Sequence, residues 1–440
     1  MPRDAQGHEL SGATPDAPAL YDAAVRSLAL MHGDPIARFD SAIAAAPDFA
    51  MARLGKAWAL VLPNDPVTRA MAEALADTVR LLPLNTREAA HLAALTEATQ
   101  RARGAAVTIL ERHLMQHPRD LLAHTIAVML DVYLGRLPRV RQRVARAMPF
   151  WSRDAEGYGS LLAFHAFGLE ESGDYARAEE ESREAADIEP LGFFPHHTVT
   201  HVMEMTGRPE DGLGWMAARE RFWASPEHGY QLHIWWHRAL FHLELGEYEA
   251  ALAICDGPAM LTQRRLASHL ANTSSLLWRL HVLGCDTGTR WHEMAALWEG
   301  HADGTAVPFT DIHAAMAELA SGQEGRCDAR LVAMRELAVG DGEMAHSYRR
   351  LVIPVIEALA AFQRCDHQRA VELLLPCRSD LWLMGGSHAQ RDVIEWTLLD
   401  AATRAGLRDV ALALSHERLA TRPRSAPNRR WLRAAHSLPS

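Results

Sequence analysis

The chain is nearly without lysine. Of its 45 basic residues Lys56 is the single lysine and the other 44 are arginine, set in 440 residues with 55 acidic groups and a formal charge of −10. A P-loop needs Gly-Lys-Ser/Thr after a glycine-rich turn, and Gly55-Lys56-Ala57 lacks the hydroxyl, so nucleotide hydrolysis of that type is excluded. Schiff-base chemistry would rest on Lys56 alone. An excess of acid with no broad basic stripe removes nucleic acid as a partner, because that affinity comes from neutralised phosphates. The one basic cluster, Arg418, Arg422, Arg424, Arg429, Arg430 and Arg433, reads as a solvated end of the chain. Cysteine is limited to Cys255, Cys285, Cys327, Cys365 and Cys377, an odd number without Cys-x-x-Cys, as expected of reduced thiols in a cytoplasmic protein. No apolar segment follows Met1-Pro2-Arg3-Asp4, so no secretory signal is expected. The longest nearly uncharged apolar stretch, Leu351 to Phe362, is too short for a bilayer and contains Glu357, so no membrane partner is expected either.

What the sequence does have is a repeat. Pro47, Pro83, Pro118, Pro149 and Pro190 each follow an apolar helical pattern, at spacings typical of helix-turn-helix units. Gly-Asp/Glu-Tyr-x-x-Ala recurs at Gly173-Asp174-Tyr175 and Gly246-Glu247-Tyr248, with a weaker copy at Cys365-Asp366-His367. In such a unit glycine turns the chain tightly and alanine lets two helices approach closely. Apolar residues recur three and four apart along 105–115, 123–134, 178–188 and 396–407, and no alternating β-branched segment competes. The expected fold is all-α, an α-solenoid of tetratricopeptide-like helix pairs. Its expected organisation is an N-terminal extension over 1–20, repeats over 21–300, further repeats continuous with them over 301–420, and a basic tail over 421–440. The turn-rich stretches Gly300-His301-Ala302-Asp303-Gly304 and 338–342 are the expected seams. Ser387-His388-Ala389-Gln390 reads as a capping box that opens a helix ending near Gly406.

More specific text lies between about 160 and 400. The stretches Phe167-Gly168-Leu169-Glu170-Glu171-Ser172-Gly173-Asp174-Tyr175, His197-Thr198-Val199-Thr200-His201-Val202-Met203-Glu204, His233-Ile234-Trp235-Trp236-His237, Ser274-Ser275-Leu276-Leu277-Trp278 and Gly385-Gly386-Ser387-His388-Ala389-Gln390-Arg391-Asp392 resemble the tetratricopeptide repeat protein 38 family. The resemblance implies an all-helical repeat protein and brings no settled activity with it. Ile234, Asn272 and Thr310 depart from the family's pattern, which implies Asn, Asp and Asn there.

Histidine is the other abundance, at 24 residues. His197 and His201 lie four apart, as do His233 and His237, so each pair projects from one helix face. One repeat of 36 residues maps His165 onto His201 onto His237, which implies imidazoles along the inner, concave groove. Distances to the following turn glycine differ among the three, so the shared face is an inference from one of two rulers.

Three chemistries fit that pattern. No metal is favoured, although His197, His201, His233 and His237 are the ligands if zinc binds, with Glu204, Asp311 or Asp392 as outer partners. Metal-free acid/base catalysis would use His201, His237, Glu204, Asp311 and His313. Binding alone would use His165, His197, His233, Trp236, Trp278, His388 and Arg391 to hold a small molecule or peptide. Against all three stands the plain alternative that buried histidines satisfy polar groups between helices and that the tryptophans are packing residues. The leading expectation is a binding protein without cofactor. An enzyme acting on a small molecule in the same groove is the alternative, and self-association is left open.

Overall fold

A computed structural model describes residues 1–63, 65–257, 266–301 and 307–439. Those residues are helical, with two isolated bridges (Arg3 to Glu9, His32 to His228) and no β-strand among them. Helices come in short-linked pairs, and successive helices pack on one another, the α-solenoid arrangement. The pairs run from Ala17–Leu30 with Pro35–Ala45 to His388–Arg404 with Arg408–Thr421, and Ala426–His436 closes the chain.

The repeat is visible in its turns. First helices end in a residue of left-handed conformation whose successor's N–H returns to a carbonyl five residues before it. Examples are Asp174 N to Leu169 O, 2.9 Å, and Asp366 N to Ala361 O, 2.9 Å. Gly135, Gly173, Gly207, Gly246, Gly284, Gly322 and Gly406 occupy this position with φ between 64° and 82°. Met31, Arg101 and Cys365 take it at φ 55°, 66° and 61°, a conformation in which a side chain costs energy. Starts are equally explicit: Asp34, Asp65, Asn85, Asp120 and Asp366 cap helices with their side chains. The Ser387–Gln390 capping box forms with both of its bonds. Ala178, Ala251 and Ala370 are fully buried, where the second helices press on their neighbours.

The chain divides into two compact units, Met1–Val199 with Arg219–Gln231, and Thr200–Ala218 with Leu232–Ser440. This division does not follow the seams expected from the turns, and residues 302–304 of the first of those seams lie outside the described residues. In the first unit Ala17–Leu30 packs on Leu121–Leu134, three pairs further along. Leu121 through Asp131 are buried without a break, as a helix enclosed on all sides requires. In the second unit Ala267–Val282 packs on Pro308–Ala320 and on His388–Arg404. Trp278 Nε1 donates to Thr397 Oγ1 at 2.9 Å, and Arg279 Nη2 to the Ala389 carbonyl at 2.7 Å. Inner helices therefore meet one another inside each unit, and their inward faces are packed.

Both chain ends differ from expectation. Leu10 is fully buried and Asp4 pairs with Arg87 at 2.7 Å, so the first residues are part of the first unit. The expected basic tail contains the helix Ala426–His436, capped by Ser425, with Trp431 buried against Trp396 at a ring separation of 5.3 Å.

Candidate functional site

Three imidazoles meet inside the second unit. His201 and Glu204 stand one turn apart on the Phe193–Met205 helix, His233 and His237 one turn apart on Gln231–Leu245. His237 Nε2 lies 3.1 Å from His201 Nε2 and 3.2 Å from His233 Nε2. The opposite ring nitrogens are anchored: His237 Nδ1 lies 3.0 Å from Glu204 Oε2, and His233 Nδ1 lies 3.0 Å from Asn272 Oδ1 on the Ala267–Val282 helix. An amide oxygen and a carboxylate only accept, so each Nδ1 carries the hydrogen and each Nε2 turns a lone pair inward. The Nε2 lone pairs of His233 and His237 thus face each other, in a site where His201 and His237 are fully buried. Burial drives His233 down to about 3, so it is neutral, as a ligand must be. Burial also pushes Glu204 up to about 7, with Arg422 pulling the other way.

The donor set fits a cation. Two bonds of about 2.0–2.1 Å at a tetrahedral angle place their nitrogens about 3.3–3.4 Å apart, close to the separations here. Ligand imidazoles characteristically donate their other N–H to a carboxylate or carbonyl oxygen, the roles of Glu204 and Asn272.

Around the trio the unit is rich in arginine. Asp392 accepts from Arg418 Nη1 at 2.6 Å, Arg422 Nη1 at 2.8 Å and Trp396 Nε1 at 2.9 Å. Burial would raise this carboxyl, yet Arg418 and Arg422 hold it well below the ordinary range. Arg418 and Arg422 are therefore not solvated ends: they are buried or nearly so and bind a helix-opening carboxylate. Arg279 is buried between Trp236 and Trp396, at 5.4 and 5.8 Å from the ring centres, and burial lowers it to about 10. His388 is exposed and within electrostatic reach of His201, Asp392 and Arg422. Arg391 donates to the Gly386 carbonyl at 2.6 Å.

The remaining sequence candidates are placed as follows. His165 belongs to the first unit and pairs with Glu181 through Nδ1 at 2.6 Å, so the one-repeat mapping brings His201 and His237 together and sets His165 in a different environment. His197 lies one turn before His201 on the same helix, stacks on Phe193 at 4.5 Å and is grouped with His201, His233 and His237 by a ring nitrogen within 4.8 Å of theirs, so the four histidines expected as ligands are brought together. Asp311 pairs with Arg330 at 3.0 Å and accepts from the hydroxyl of Tyr348, and burial raises it to about 7. His313 donates Nδ1–H to the Phe309 carbonyl at 2.7 Å, and burial lowers it to about 4. Asp311 is thus held in an ion-pair network with Arg330 and Glu318 and does not orient His313. Trp236 is fully buried and stacks on His233 at 5.1 Å, while Trp278 is core. Asn272, noticed in the sequence only as a departure, is the partner of His233. Its contact spans 39 residues, which no local pattern reveals.

A second buried cluster of metal-ligand types lies in the first unit, where His91, His113 and Asp120 converge. Here the lone pairs are already taken. Asp120 accepts from Arg87 Nε at 2.6 Å, His91 Nε2 at 3.0 Å, His113 Nε2 at 2.9 Å and the Ala123 N–H at 3.1 Å. Trp58 Nε1 donates to His91 Nδ1 at 3.2 Å, which fixes the His91 tautomer. This cluster locks helix starts together; it is not an open ligand set.

No family model matches the chain.

Proposed function

We propose that the second unit is a metal-dependent enzyme centre, in which His201, His233 and His237 hold one divalent cation of the zinc type. The observation that carries this reading is the contact of His237 Nε2 with His201 Nε2 at 3.1 Å and His233 Nε2 at 3.2 Å, within a group of histidines whose ring nitrogens come within 4.8 Å of one another, while Glu204 and Asn272 occupy opposite ring nitrogens. When bound with a coordination position open, such a cation supplies Lewis acidity for hydrolysis or hydration of a small molecule. The chain's own groups supply the rest. Glu204 and Asn272 orient the imidazoles, and Arg279, Arg391 and Arg422 outweigh the nearby Asp392, which suits an anionic substrate. Burial and the neighbouring Arg391 lower His388 to about 4, so it offers a neutral imidazole to a ligand.

Cobalt(II) titration tests this. Tetrahedral cobalt gives intense visible bands, expected for the protein and lost in His237→Gln. A weak octahedral spectrum that is the same in the variant would refute the reading.

A second reading rests on the 3.1 Å contact itself: without metal, one proton shared between His201 and His237 also relieves the lone-pair conflict. That version is metal-free acid/base chemistry. Binding of a peptide along exposed indoles ranks below both, because Trp236 and Trp278 are fully buried.

A further inference from the structure

The first unit contains a pocket of about 450 Å³ that none of the chemistry above uses. Its floor is the Tyr158–Glu170 helix and one wall is Pro138–Ala147. These two helices touch closely because Gly168 lies against the second: a Cβ there would come within 2.2 Å of the Arg141 backbone nitrogen.

The charges on that pocket do not balance. Glu181 is taken twice, by His165 Nδ1 at 2.6 Å and by Arg177 Nη2 at 3.1 Å. Arg141 is half-buried and has no ion pair or hydrogen bond among the described residues. Its neighbours differ, since Arg143 pairs with Glu111 and Asp131, and Arg146 with Glu111. Because Glu181 accepts from Nδ1, His165 Nε2 remains for a ligand, and the Gln142 amide lines the same pocket. Met148 and Leu169 supply an apolar wall. A half-buried guanidinium without a counter-ion, beside an oriented imidazole and an apolar surface, matches a monoanion with a hydrocarbon portion.

We propose that this pocket binds a small carboxylic acid, its carboxylate on Arg141 and Gln142, a second polar atom on His165, and its hydrocarbon part against Met148 and Leu169. The site is built wholly from the first unit and does not depend on the metal reading.

Calorimetry of the full chain with hexanoate, benzoate and inorganic phosphate as probes tests it. Hexanoate or benzoate is expected to bind, about 10- to 100-fold more weakly to Arg141→Gln, with Arg141→Lys in between. Binding is expected to survive chelator treatment and His237→Gln. Equal carboxylate affinity in Arg141→Gln, no measurable carboxylate binding, or binding of phosphate in preference to both acids would each overturn the proposal. Unchanged melting temperatures of the Arg141 variants guard against misfolding as the cause.

Discussion

The Nε2 atoms of His201 and His237 lie 3.1 Å apart across 36 residues of chain, one helical repeat. His237 Nε2 also faces His233 Nε2 at 3.2 Å, and with the hydrogen on Nδ1 in both of these rings their lone pairs meet unless a cation, or a proton such as that of a His201 Nε2–H, lies beside them. Glu204 and Asn272 hold His237 and His233 in that tautomer by occupying their outer nitrogens.

Replacing Glu204 with Gln should therefore weaken metal affinity without abolishing it. The amide can still accept from Nδ1–H but carries no charge, and loss of such an outer partner costs about 10- to 100-fold. Competition titration against a chromophoric chelator measures this directly. An unchanged affinity would show that Glu204 does not tune the site.

Asp120→Ala is expected to be among the most damaging single changes. It strips a buried carboxylate from Arg87, His91 and His113 and removes the cap from Leu121–Leu134. Breaking a buried charge network costs about 3–5 kcal/mol, and the lost cap adds to that. Urea unfolding of the variant should show it; a cost below about 1 kcal/mol would mean the network is decorative.

His124 offers a test by pH. It is fully buried, its Nε2 donates to the Pro118 carbonyl at 3.1 Å, and burial lowers it to about 4. Between about 6.5, its value in the unfolded chain, and about 4, the unfolded state takes up a proton that the folded state does not. Stability from this group is thus fully present above pH 6.5 and is lost as pH falls. Relative to His124→Gln, the parent should lose about 1.4 kcal/mol per pH unit across that window. Parallel pH profiles for the two proteins would contradict the buried, neutral state of His124.

Much of the fold could be read from the residues. The Gly173 and Gly246 turns, the alanines that follow them and the Ser387 cap are local signals, and local physics decides them. Turns at Met31, Arg101 and Cys365 carry no glycine, so packing has to impose their left-handed backbone; the Cys365 turn shows in the sequence only as a weaker copy of the motif, and a scan for Gly passes over the other two. The helix Ala426–His436 is hidden by its charge. Arg429, Arg430 and Arg433 read as tail, while Trp431 and Ala435, one turn apart, are the buried stripe. For the site, the spacing that joins His201 to His237 was legible and the partners were not. Asn272 and the Arg422–Asp392 pair reach across 39 and 30 residues, where only the folded chain defines neighbours. The same spacing ruler failed for His165, whose partner Glu181 sits on the second helix of its own pair.

The most direct test of the central claim is the metal content of the protein purified without an affinity tag. Elemental analysis should find about one zinc or other divalent transition metal per chain, retained through dialysis and absent from His237→Gln. A chain that carries no metal, takes none up from stoichiometric zinc, and gives the same result with His201, His233 and His237 intact or replaced would contradict it.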